Sequence, residues 1–177
     1  PADYLPVTPK NGSWAVWLGG DDGEVSYIRQ NVTIPTNAPY LTYWHWISGA
    51  EYLCGWDFGG VGINGEWYHA YDLCEQYFTG DWVQYAVDMS EYKGKTVDLD
   101  FVAVTDDEPD THSNLFIDVV AFSSAVPYGA IELNTETRNE LLRGPYSTAS
   151  GKERSHFLTS NLHAPSKSHA AGLFQQP

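Results

Sequence analysis

Between Val25 and Ile34 the chain alternates with a period of two. Ser26, Ile28, Gln30, Val32 and Ile34 share one face, and Tyr27, Arg29, Asn31 and Thr33 share the other. That period specifies a strand with one face turned inward. A shorter apolar strand is expected over Trp14 to Leu18, ended by Gly19-Gly20 and the acidic turn Asp21-Asp22-Gly23-Glu24. Tyr40 to Ser48 sets Leu41, Tyr43, His45 and Ile47 against Thr42, Trp44 and Trp46, with large side chains on both faces as in a central strand. Cys54 to Ile63 is extended and Gly-rich, Asn64-Gly65 is a two-residue hairpin signal, and Glu66 to Tyr71 returns. Trp82 to Met89 alternates Val83, Tyr85, Val87 and Met89 against Trp82, Gln84, Ala86 and Asp88. After a turn at Lys93-Gly94, Thr96 to Val104 points Val97, Leu99, Phe101 and Ala103 inward against Asp98 and Asp100. Leu115 to Phe122 is the last run, and Phe101 to Phe122 reads as a closing hairpin around an acidic loop. About eight strands with no amphipathic helix between them specify an all-β, antiparallel sandwich.

The pattern divides the chain into a Pro-rich lead-in over residues 1–13, a sandwich over 14–123 and a tail over 124–177. In the tail, Thr135 to Arg143 predicts one short helix, capped by Asn134 or Thr135 and stopped by Gly144-Pro145. Beyond it Ser, Ala, His and Lys predominate and the pattern is mostly irregular. Such a segment becomes ordered by docking, either on its own sandwich or on another copy. Ile131, Leu133, Leu141, Leu142, Phe157, Leu158, Leu162, Leu173 and Phe174 are its candidate anchors.

Charge sharpens this division. Up to Tyr128 there are 19 acids and 4 bases, and after it 4 acids and 5 bases. An acidic body repels phosphate backbones, which argues against nucleic acid, and favours hard cations held by oxygen. Cys54 and Cys74 are the only cysteines and have no CxxC or His/Cys cluster beside them, which favours a disulfide over zinc and an oxidising compartment. The sequons at Asn11 and Asn31 fit a secreted glycoprotein. No run of 18 apolar residues exists, so no membrane span is expected.

Seven segments together resemble a known class: Trp17-Leu18-Gly19-Gly20, Gln30-Asn31-Val32-Thr33-Ile34-Pro35, Cys54-Gly55-Trp56-Asp57, Leu73-Cys74, Gly80-Asp81-Trp82-Val83, Asp88-Met89-Ser90-Glu91-Tyr92-Lys93-Gly94 and Ser113-Asn114-Leu115-Phe116-Ile117-Asp118. They are similar to the jelly-roll modules of bacterial secreted proteins, galactose-binding-like or MAM-like, over residues 14–122. The resemblance implies a jelly roll, a non-catalytic role in adhesion or in carbohydrate or protein binding, and a structural calcium ion. The tail is not part of that pattern.

Calcium takes six to eight oxygens, usually gathered from several loops. Asp21, Asp22 and Glu24 lie in one acidic loop, Asp106, Asp107, Glu108 and Asp110 in another, and Asp118 on the last strand between Ile117 and Val119. A carboxylate with such neighbours either meets a cation or accepts backbone amides; the acidic loops are either ligands or solvated surface. Trp44, Trp46, Trp56 and Trp67 are either a stacking platform for sugars or packing residues. His45, His69 and His112 are scattered and no hydrolase motif is present, so no catalytic residue is assigned and the chain is expected not to be an enzyme. Two functions remain. One is an adhesive or structural subunit that assembles with copies of itself into an extracellular polymer or filament through its tail. The other is a carbohydrate-binding accessory module of a secreted hydrolase or peptidase.

Overall fold

A computed structural model of the chain describes residues 2–109 and 111–133. Among the described residues nine strands run in the order β1 (Val16–Gly19), β2 (Val25–Thr33), β3 (Tyr40–Gly49), β4 (Phe58–Ile63), β5 (Glu66–Asp72), β6 (Val83–Asp88), β7 (Thr96–Val104), β8 (Ser113–Ser123) and β9 (Ile131–Leu133). Two single-turn 3₁₀ segments lie between strands and a third precedes β1, again among the described residues. The strands form two sheets, ordered β1-β8-β3-β6-β9 and β2-β7-β4-β5. The all-β architecture expected from the alternation is present, and the predicted strands from β2 onward begin or end within a few residues of those observed. The expected helix at 135–143 lies outside the described residues.

The inward faces follow the period-two pattern. Ile28 and Ile34 meet Leu41, Tyr43, Ile47, Val87, Met89, Leu99, Phe101, Leu115 and Ile117 in one core between the sheets. A smaller cluster, Val102 and Val104 with Val25, Tyr27 and Trp67, covers the outer face of the four-stranded sheet. At the β4–β5 turn both Asn64 and Gly65 have positive φ, 53° and 84°. That is the geometry a two-residue hairpin requires, and it is why Asn-Gly stands there.

One expectation fails. Phe101 to Phe122 is not a hairpin: β7 pairs with β2 and β4, whereas β8 pairs with β1 and β3 in the opposite sheet. Both strands present apolar residues to the same interior, so the acidic loop between them is an arch crossing from one sheet to the other. The arch brings residues 105–109 to the end of the sandwich where other loops gather.

The second difference is β9. It lies within the segment expected to be tail, yet it pairs in parallel with β6, Tyr85 to Ile131 and Val87 to Leu133. Leu133 is buried in the main core.

On the outer face of the four-stranded sheet Arg29 and Asp100 sit opposite each other on β2 and β7. Arg29 Nε donates to Asp100 Oδ1 at 2.6 Å and Nη2 to Oδ2 at 2.9 Å. Gly62 lies across from Asp100, and a Cβ there would stand 3.2 Å from the Asp100 Cβ, so the glycine makes room for this pair.

Candidate metal centre

Glu51 and Asp57 flank the loop between β3 and β4, and Asp106 opens the arch. One oxygen from each carboxylate lies within 4.8 Å of the others. The loops are held in place by bonds that do not use the free oxygens. Glu51 Oε1 accepts from the Leu53 amide at 2.7 Å, and its carbonyl accepts from the Glu75 amide at 2.8 Å. Asp57 Oδ1 accepts from the Asp106 amide at 2.9 Å, tying the arch to this loop. Asp106 Oδ1 accepts from Glu108 N at 3.1 Å. A disulfide joins Cys54 to Cys74, and Asp72 Oδ1 accepts from Gly55 N at 2.6 Å, so the segment between the two acids is fixed on both sides.

Asp57 carries the electrostatic tension of the centre. It is 1% exposed, and its Oδ2 has no hydrogen-bond partner. Burial pushes its carboxyl up to about 6, the Asp106 amide and the Ser113 hydroxyl pull the other way, and the Asp106 and Glu51 charges raise it further. Gathering three carboxylates is unfavourable, and one of them has a buried lone-pair face unused. The three carboxylates offer only oxygen, with neither thiolate nor imidazole, a donor chemistry that suits hard cations rather than soft ones.

The acids singled out in the sequence are distributed differently. Asp106 is in the cluster. Asp21 is exposed, and its carbonyl accepts from Thr105 Oγ1 at 2.7 Å, while the Glu24 amide donates to the same hydroxyl at 2.8 Å. Asp22 Oδ1 stands 3.4 Å from His112 Nδ1. Asp107 is exposed beside Gly23, and Asp110 lies outside the described residues. Asp118 accepts from the backbone amides of Asn11 at 3.0 Å and Val119 at 2.7 Å. The β3–β8 register shifts between Thr42 and Trp44, opposite this point, and Val119 has a φ of 50°. The bulge turns Asp118 away from the core.

Glu51 and Asp57 are not singled out by the sequence. Asp57 stands between Trp56 and Phe58, the same signal of a carboxylate among apolar neighbours that draws attention to Asp118. Only the arch, which looks like a hairpin in the sequence, brings Asp106 to it.

The four tryptophans do not form one platform. Trp44 and Trp46 lie on the outer face of the five-stranded sheet under the lead-in: Lys10 Nζ sits 3.8 Å from the Trp44 ring centre, and Trp46 packs edge-on against Trp82, whose Nε1 donates to Thr8 O. Trp67 packs on the other sheet. Trp56 alone is largely exposed, 55%, and shares its loop with Tyr52 at 71% and Leu53 at 65%. Asn11 and Asn31 are both exposed, Asn31 Nδ2 donating to Asp98 Oδ1 at 2.8 Å. Among the described residues no helix is long and apolar enough to cross a membrane. No protein family, no curated protein and no solved structure matches the chain.

Proposed function

We propose that this chain is a non-enzymatic extracellular domain of adhesion or assembly: a jelly roll of the galactose-binding-like or MAM-like kind, braced at one end by calcium. The observation that carries the reading is the buried Asp57 carboxylate, one oxygen unpartnered, beside Glu51 and Asp106. A cation there ties the β3–β4 loop to the arch, and so one sheet to the other. The orders β1-β8-β3-β6 and β2-β7-β4-β5 support the jelly-roll assignment, since apart from the β4–β5 hairpin successive strands wind alternately through two sheets as two Greek keys do. The disulfide fits an oxidising, extracellular setting.

Thermal unfolding in chelator and in added calcium tests the brace. An ion bound only by the folded state adds about 2.7 kcal/mol at a free concentration one hundred times its Kd. Asp57→Asn removes the buried charge, so it raises stability in chelator and abolishes the response to calcium. Equal melting of the unsubstituted protein with chelator and with millimolar calcium sinks the cation reading.

Assembly is assigned to the tail. Residues 134–177 carry five bases, Arg138, Arg143, Lys152, Arg154 and Lys167, against three acids, Glu136, Glu140 and Glu153, and they follow an acidic body. Such a segment fits the surface of a neighbouring copy. Truncation after Leu133, which keeps β9 in its sheet, leaves a folded domain that no longer self-associates in light scattering. A second reading rests on the exposed trio Tyr52, Leu53 and Trp56, which suits stacking against sugar rings. A truncated chain that still assembles, together with retardation on a polysaccharide gel that Trp56→Ala abolishes, favours that reading instead.

A further inference from the structure

Away from the acidic end, the interior between β3, β5 and β6 is polar in an unusual way. His45 on β3 is fully buried, and neither ring nitrogen has a hydrogen-bond partner. Its ring centre lies 4.1 Å from that of Tyr85 on β6, 5.6 Å from Tyr71 on β5 and 6.1 Å from Tyr43 on β3. His69 on β5, 2% exposed, packs 5.9 Å from Tyr71 and opposes positive charge on His45. These are the titratable groups that surround His45. From β7, Phe101 closes the cluster against Tyr43 at 4.8 Å. Burial pushes Tyr43, Tyr71 and Tyr85 above the ordinary phenol range, so none supplies a negative charge near neutrality. Each buried polar group is costly without a partner, and a charged one far more so.

The location matters because β5 and β6 face each other along one side of the sandwich. β5 is the edge of its sheet, and β6 pairs with β3 on one side and, among the described residues, with only the three residues of β9 on the other. Tyr71 meets Tyr85 across the gap at 5.7 Å, and Tyr68 Oη donates to Asp88 O at 2.6 Å.

We propose that His45, with the buried His69 in the opposite sheet, is an acid-sensitive release: protonation below neutral pH drives β5 away from β6 and opens this side of the sandwich. Among the described residues the folded protein gives neither His45 ring nitrogen a hydrogen-bond partner, whereas the opened state offers the imidazolium water. Burial, with His69 adding to it, lowers the His45 pKa to about 3. Because the folded value lies below the unfolded one, the contribution to stability is complete above about 6.5 and is lost as pH falls from there toward 3. Asp57 and Asp100 act in the opposite sense. Burial raises both carboxyls, so they are most compatible with the fold when protonated and cannot produce a loss in this window.

The test is unfolding of the whole chain, in chelator, across pH 8 to 5, with His45→Leu as the comparison. The unsubstituted protein should lose roughly thirtyfold in its folding equilibrium by pH 5, the expected consequence of one histidine that protonates only when released. His45→Leu should lack that component. A flat profile for the unsubstituted protein, or an equal loss in His45→Leu, overturns the proposal. Should the variant fail to fold, amide exchange of the unsubstituted protein at pH 7.5 and 5.5, corrected for intrinsic rates, decides it. Selective loss of protection in β5 and β6 supports the release, and uniform or absent change refutes it.

Discussion

Arg29→Ala is expected to lower unfolding stability by about 3 kcal/mol at pH 7.5, the low end of the range for removing one partner of a buried ion pair. The low end applies because the Arg29 side chain is 39% exposed while that of Asp100 is wholly buried. The arginine covers the carboxylate from the solvent side and satisfies both its oxygens. Its removal leaves Asp100 buried, with the Gly65 amide and the Asp98 carboxylate near it and its principal counter-charge gone. Burial already outweighs the arginine and raises the Asp100 carboxyl above its ordinary value, and without Arg29 it rises further. An orphaned carboxyl escapes its penalty by taking up a proton. The deficit in urea unfolding should therefore shrink between pH 7.5 and pH 4.5, and a deficit of equal size at both pH values would show that lost packing, not lost charge, is responsible. Arg29→Lys should fall between the two, since an ammonium retains the charge but not the two parallel hydrogen bonds.

Replacing both Cys54 and Cys74 by alanine is expected to cost about 3 kcal/mol, from the freedom regained by an unfolded chain whose bridged residues are 20 apart. The more informative effect concerns the cation proposed above. Cys54 lies between Glu51 and Asp57, so the bridge restricts how these two acids can separate. Without it the site must be ordered at the moment of binding, and the stabilisation gained at a given calcium concentration should fall. A calcium response unchanged in the double variant would mean that the Glu51–Leu53 and Asp72–Gly55 hydrogen bonds position the loop by themselves. Melting curves with and without calcium read both effects in one experiment.

Most strands could be read directly because period-two alternation and turn chemistry are local. Val25 to Ile34, the Asn64-Gly65 turn and Thr96 to Val104 needed only their own neighbours to be recognised. The site was less accessible because it depends on which strand crosses to which sheet. Two apolar runs joined by a short acidic loop look alike whether they pair or arch, and only pairing partners distinguish the cases. Glu51, Asp57 and Asp106 meet through that unseen crossing. Asp118 illustrates the converse: its apolar neighbours suggested an inward carboxylate, but the bulge beside Val119 rotates it outward to cap the lead-in. β9 leaves no mark in the sequence because a three-residue strand has too few positions to show any period.

The pairing of β1 with β8, which sets Leu18 beside Leu115, has a consequence for how this chain is made. During synthesis the first strand has no neighbour until nearly a hundred further residues have emerged. Until then β3, destined for the middle of its sheet, exposes on one side the hydrogen-bonding groups that β8 later takes. Pairings this distant along a chain form slowly and leave open edges that attract other chains. Ribosome-bound chains that stop short of Ser113 should therefore be the species most dependent on chaperones, and the emergence of β8 is the event that ends their exposure.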